Sequence, residues 1–350
     1  MFKPVNFRLF ITSRTLVFGA IGAAAAWALG VPAAFLVGPA LAVTLASVVG
    51  VRMEIANWLR DICLATLGLG IGAGFTAEAS AAILHWPLAF AILALMLVLL
   101  LMVNRMILRR WFGFDRRSAI LAAIPGHLSL VLGIAADSGL DVGRIALVQT
   151  IRVLVLTVAV PFAALALGFE MQAMMMPAGT PMRPEHLGGL AVAGFILALG
   201  LKRIGLPAPM LTGPLIVSSL GHVMGVTPGT LPVWLMSGAF IGLGSMIGSR
   251  FSGMSAALVR SGLMAGLVST IVAVLVAALA AIPVALLLGM PSVHVLAAFA
   301  PGGLETMIAV GAAMGASPGF VASCHVMRLV ILSGLLPLFL RQSADHSDTA

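Results

Sequence analysis

Residues 15–51 read TLVFGAIGAAAAWALGVPAAFLVGPALAVTLASVVGV, without one Asp, Glu, Lys or Arg. A helix that crosses a bilayer needs about 20 apolar residues, so this run is long enough for two passes with a turn at Gly30-Val31-Pro32. Residues 79–104, 204–249 and 261–304 are equally free of charge, and the last two are also long enough for two passes each. Across the chain 61% of residues are hydrophobic and 9% are charged, a mixture outside that of soluble domains. The sequence predicts an all-α, polytopic integral membrane protein.

The same stretch occurs twice. Gly30-Val31-Pro32-Ala33-Ala34-Phe35-Leu36-Val37-Gly38-Pro39 aligns with Gly205-Leu206-Pro207-Ala208-Pro209-Met210-Leu211-Thr212-Gly213-Pro214. In nearly the same register Phe75 falls on Phe251, Pro125-Gly126 on Pro301-Gly302, Gly139 on Gly315, Arg152 on Arg328 and Pro161 on Pro337. The expected organisation is a cytoplasmic segment 1–14, a first transmembrane repeat 15–169, a linker 170–187, a second repeat 188–341 and a polar tail 342–350.

Loop charge predicts how the halves are inserted, because Lys and Arg collect on the cytoplasmic side. In the first half Arg52, Arg60 and the loop from Arg105 to Arg117 follow the second and fourth apolar segments. In the second half Lys202, Arg203, Arg250 and Arg260 follow the first and third. Equivalent loops have exchanged their charge. With Arg152 and Arg328 set aside, inverted halves with both termini inside leave only Arg183 outside, whereas parallel halves expose Arg144, Lys202, Arg203, Arg250 and Arg260. Inversion requires five spans per half, so one of the six segments must not cross. Pro125-Gly126 and Pro301-Gly302-Gly303 interrupt the fifth, where the chain loses a helix hydrogen bond, and that segment is expected to enter and leave on one face as a hairpin.

Broken backbone at membrane depth is tolerated where protein or a wet cavity receives it, and transporters place their sites at such breaks near the repeat interface. Arg152 and Arg328 each sit about ten residues into an apolar segment, roughly 15 Å from its start. A charge at that depth marks a functional site unless it is paired internally. Gln149 and His325 precede the arginines by three residues, on the same helix face. His127 and Ser129 occupy the first broken segment where Gly303 and Glu305 stand in the second. The candidate ligand-binding set is therefore Arg152, Arg328, Glu305, His127, Ser129, Gln149, His325, Pro125, Gly126, Pro301, Gly302 and Gly303. A planar guanidinium fork suits a carboxylate or phosphate. In the alternative the arginines are struts, Arg328 pairing with Glu305 and Arg152 with carbonyls freed at Pro125.

The repeated Gly-x-Pro…Gly-Pro unit, the stretches 71–75 and 247–251 that each end in Phe, and the Pro-Gly…Gly…Arg…Pro runs at 125–161 and 301–337 resemble the duplicated AbrB-like bacterial membrane proteins, over nearly the whole chain. Members carry labels such as ammonia monooxygenase or AbrB regulator. The resemblance implies the bacterial inner membrane. The residues argue against both labels. A copper or di-iron oxygenase needs clustered His or carboxylate ligands, and the seven His are scattered. Cys63 and Cys324 are isolated thiols, so no cofactor, metal site or disulfide is expected. No stretch is long enough for a DNA-reading domain, and nucleic acid is not an expected partner. Gly70/Gly74 and Gly244/Gly248 are read as GxxxG packing surfaces.

The sequence thus points to a secondary transporter of a small, anionic organic solute, bound near the midplane where the halves meet. Its expected partners are that solute, a coupling ion, the lipid bilayer and further copies of itself. A channel, or a membrane protein with an enzymatic or indirect regulatory role, is the alternative.

Overall fold

In the computed structural model, residues 5–74, 86–126, 128–166, 168, 179–206 and 208–344 are described. They form fourteen helices: α1 Val5–Ala28, α2 Ala34–Val48, α3 Asn57–Gly72, α4 Trp86–Phe112, α5 Arg116–Ala123, α6 Leu128–Asp137, α7 Val142–Ala166, α8 Pro184–Arg203, α9 Pro209–Val223, α10 Val233–Ser249, α11 Ala256–Leu288, α12 Ser292–Phe299, α13 Leu304–Ala313 and α14 Pro318–Ala344. Six of these, α1, α4, α7, α8, α11 and α14, are long and apolar enough to cross a bilayer. The chain is an all-α polytopic membrane protein.

Helix boundaries recur at the register of the sequence match. α2 and α9 start 175 residues apart and end 175 apart, while α5 with α12 and α6 with α13 correspond at 176. Even the strain recurs: Ala33 and Ala208, immediately ahead of α2 and α9, are the non-glycine residues in the left-handed region among the described residues (φ 53° and 48°). A Cβ there costs roughly 1–2 kcal/mol, so the packing around both turns has to hold them in place.

Two compact units divide the chain, and neither is one half of the sequence. The first comprises Met1–Ile83, Thr157–Gly253 and Glu305–Gly319; the second comprises Leu84–Leu156, Met254–Leu304 and Phe320–Ala350. Each unit draws on both halves.

In the first unit α3 packs on α9, α2 on α10, α1 on α2 and α8 on α9. Exchanging α1–α3 with α8–α10 leaves this set of pairs unchanged. Glycine makes the close approaches. A methyl added to Gly72 would lie 2.6 Å from the Leu215 carbonyl oxygen, and one on Gly248 would lie 2.7 Å from that of Ala40. Gly68 and Gly244, one turn earlier, are held as tightly against the carbonyls of Leu211 and Leu36. The first-half packing pair is therefore Gly68/Gly72, and Gly70 faces the Met236 side chain instead. Two GxxxG spacings overlap in that Gly-rich stretch, and the contact selects the pair that the 176-residue register sets opposite Gly244/Gly248.

In the second unit α4 packs on α11, α5 on α4 and α12 on α11. α5 and α12 have eight residues each and reach only about 12 Å, so neither can span. The run 261–304, read above as room for two passes, is consequently one span, the rest of α11, followed by the short α12. The polar tail begins later than expected, since α14 continues to Ala344, and α1 already includes residues 5–14. Phe75, His127, Pro207 and the linker residues 170–178 lie outside the described residues.

Candidate functional site

Pro125 ends α5 by chemistry. It has no N–H, so the Leu121 carbonyl four residues earlier loses its helix partner, and the last carbonyls of the helix are left open. Gln149 Nε2 donates to that Leu121 oxygen at 2.9 Å. Arg152 donates from Nη1 to Ala123 at 3.2 Å and from Nη2 to Ile124 at 2.7 Å. α7 thus brings one amide and one guanidinium to the bonds that the Pro-Gly break removes.

The order of these contacts fixes the path of the chain. At the start of α7, Arg144 reaches the carbonyls of Phe112 and Gly113 and lies over the Phe114 ring at 4.0 Å. Along α7 from 144 to 149 to 152, the acceptors advance from 112–113 to 121 to 123–124. α5 and α7 therefore run parallel, and both begin on the same side. α6, with ten residues and about 15 Å of rise, carries the chain back between them. The fifth segment of the first half is thus two short helices, α5 and α6, separated at Pro125-Gly126.

The second half repeats the guanidinium contact. Arg328, like Arg152 the eleventh residue of its helix, donates from Nη1 to Ala300 at 2.7 Å and from Nη2 to Gly302 at 3.0 Å. Arg152 and Arg328 are 1% and 2% exposed. They belong to the same unit. The first hairpin also reaches the second arginine's helix: Gly126, at φ 89°, sits where a methyl would be 2.9 Å from Leu329 Cδ2 and 4.0 Å from Arg328 Nη2.

The charges are partly compensated. Two helix C-termini, those of α5 and α12, face the guanidinium groups, and each supplies roughly half a negative charge. No described carboxylate joins them: Asp115, Asp137 and Asp141, the acids of the second unit among the described residues, are exposed. About one positive charge is left over. The Nε atoms of Arg152 and Arg328 are buried without a hydrogen-bond partner among the described residues.

The strut alternative is half correct. Arg152 does hold carbonyls at the Pro125 break, but Arg328 is bonded to backbone and not to Glu305. Glu305 falls in the first unit, and the charge that acts with it there is Arg250, at the end of α10. A sequence comparison could not have found this pair, because Gly74 stands opposite Arg250 in the register. Pro125, Pro301 and Gly302 are buried, and Gly126 and Gly303 are half-buried. The structure gathers Gln149, Arg152, His325, Arg328 and the two breaks into one unit. The side chain of Ser129 is outside the described set, as is all of His127.

His325 departs from its counterpart Gln149. Its Nδ1 bonds the Val321 carbonyl of its own helix at 3.0 Å, and Nε2 is buried without a partner among the described residues. Both cysteines are free and buried.

A membrane-embedded helical protein with paired Pro-Gly breaks and a buried arginine at each defines the class. The model of the AbrB family, described as transition state regulatory protein AbrB, matches residues 35–344, and the chain belongs to that family. It is 26% identical over 274 residues to "Uncharacterized protein YhjN" of Bacillus subtilis (strain 168), covering 73% of this chain and 71% of that one. It is 24% identical over 317 residues to "Putative regulator AbrB" of Escherichia coli (strain K12), covering 88% and 89%.

Proposed function

We propose that the chain is a secondary transporter of a small organic anion in the bacterial inner membrane, with both termini cytoplasmic and its halves inserted as inverted repeats. The observation that carries this is the pair of buried guanidinium groups, one from each half, with no carboxylate to balance them among the described residues of their unit. A residual positive charge in low dielectric favours an anion strongly, and the unused N–H donors of both forks match a carboxylate. Alternating exposure follows from movement of one element against the rest, driven by an ion or solute gradient. Gly126, Pro301, Gly302 and Gly303 line the solute's path in this proposal. His127 and Ser129 are assigned to the same path from the sequence alone, and Glu305 is the candidate carrier of the coupling ion.

The test is uptake of small carboxylates into proteoliposomes with and without a proton or sodium gradient. Saturable, gradient-dependent uptake that falls about tenfold or more in Arg328→Lys supports a carrier with a two-point fork. Flux that neither saturates nor depends on Arg328 overturns it and favours a channel. The regulator name of the relative is compatible with an indirect effect, through the solute moved.

A further inference from the structure

The second arginine site has an acceptor that the first one lacks. His325 and Gln149 occupy equivalent positions, each one turn ahead of its arginine. Gln149 spends its amide N–H on the carbonyl left open by Pro125. His325 does not do the same at Pro301, because its Nδ1 is bonded to Val321. A carbonyl oxygen only accepts, so Nδ1 carries the ring proton, and the neutral imidazole presents a lone pair at Nε2. That atom is fully buried, as His325 has no exposed surface, and it has no partner among the described residues. An unmet buried acceptor costs about as much as a lost hydrogen bond. The Nε–H of Arg328 is equally buried and has no partner among the described residues, so α14 carries an unmet donor three residues from an unmet acceptor.

The two open groups are complementary in kind. Arg328 offers N–H donors and positive charge, and the His325 lone pair asks for an O–H. His325 and Arg328 stand three residues apart on α14, which puts them on the same helix face. A bare carboxylate satisfies the arginine and leaves Nε2 unmet, whereas a carboxylate with a hydroxyl on the adjacent carbon satisfies both. We propose that His325 is the specificity-determining residue of the anion site and that it selects 2-hydroxycarboxylates over the corresponding unsubstituted acids. This inference rests on the assignment of the arginine pair to an anion.

The test uses the purified full-length chain and two nearly isosteric pairs, glycolate against acetate and lactate against propionate, with binding read by calorimetry. In the wild type the hydroxy acid of each pair is expected to bind about tenfold more tightly, the worth of one buried hydrogen bond. His325→Phe removes the acceptor, and the ratio is expected to fall to near one. His325→Gln copies the first half, frees an amide to cap the Ala297 carbonyl, and is expected to lose the preference while raising the melting temperature. Equal wild-type affinities within each pair, or a full preference retained in both variants, overturn the role of His325. If the wild type binds none of the four acids and Arg328→Lys changes nothing, the anion site itself fails, a result distinct from anions that bind without discrimination.

Discussion

Gln149–Arg152 and His325–Arg328 are built on the same plan and finished differently. Both arginines cap the carbonyls at a Pro-Gly break from the eleventh residue of a long helix. In the first half the residue one turn earlier closes the remaining gap, and in the second it leaves a buried nitrogen open. The first copy thus leaves one buried nitrogen unmet among the described residues, Arg152 Nε, and the second leaves two, Arg328 Nε and His325 Nε2. The difference comes from a single exchange of an amide for an imidazole, because only the amide extends an N–H to the neighbouring helix here.

The largest expected effect separates the two arginines. Arg152→Ala strands two carbonyls and the Gln149 contact beside it, so it should cost roughly 3–5 kcal/mol and most of the folded yield. Arg328→Ala also strands two carbonyls, but no neighbouring amide contact like that of Gln149 is disturbed with it, so it should unfold at a higher temperature than Arg152→Ala and show no solute binding. Thermal unfolding of both proteins at the same detergent concentration checks this. Equal losses would mean that the two sites are the same kind of strut.

Gln149→Leu isolates the closing contact. It leaves the Leu121 oxygen buried without a partner, and a loss of about 1–3 kcal/mol is expected. His325→Leu leaves no such acceptor newly unmet in the second half and should be close to neutral in stability. If the two leucine variants melt alike, the amide is not what closes the first site.

Gly126→Ala sharpens the comparison at the breaks themselves. Gly126 has positive φ and no room for a methyl against Leu329, so the variant should lose about 1–2 kcal/mol. Gly302 is not among the positive-φ residues, and Gly302→Ala carries no such backbone term. Paired melting curves show whether the first break is the more demanding.

The smallest effect is at the starts of the short helices. Asp115 accepts from the N–H groups of Arg117 and Ser118 at 3.0 and 2.9 Å and caps α5, whereas α12 starts behind Pro291 without a side-chain cap. Partial burial pushes the Asp115 carboxyl up, but the hydrogen bonds from the Ser118 side chain, the Ser118 backbone and the Arg117 backbone outweigh it, and the net shift is downward. A lowered folded value means that the cap's contribution is present above the unfolded value of about 4 and is lost as pH falls through the folded one. Asp115→Ala should therefore be about 1 kcal/mol less stable than the wild type at neutral pH, and the gap should close below about pH 4. A gap independent of pH would show that the carboxylate is not the cap.

Much of the site was legible in sequence because its signals are chemical and local. A Pro-Gly pair inside an apolar segment and an arginine ten residues into another cannot be absorbed by lipid, so both had to face protein. The breaks were legible too, since α5 ends at Ala123 and α12 at Phe299, two residues ahead of Pro125 and Pro301. The partner of Arg328 was not, because Glu305 offers the right charge at the right distance along the chain and only packing decides that it lies with Arg250. Gly68/Gly72 displaced the expected pair Gly70/Gly74, a choice legible in the register, which sets Gly68/Gly72 opposite Gly244/Gly248.

By itself the sequence determined the solvent, the helical class and the polar residues that lipid cannot hold. These follow from composition and from the cost of bare backbone or charge in hydrocarbon, which every apolar segment bears alone. Tertiary structure decided how the helices divide into units, which carbonyl each guanidinium takes and which polar atom stays unmet. Those outcomes depend on distances between segments remote in the chain, where a hydrogen bond forms or fails within a few tenths of an ångström.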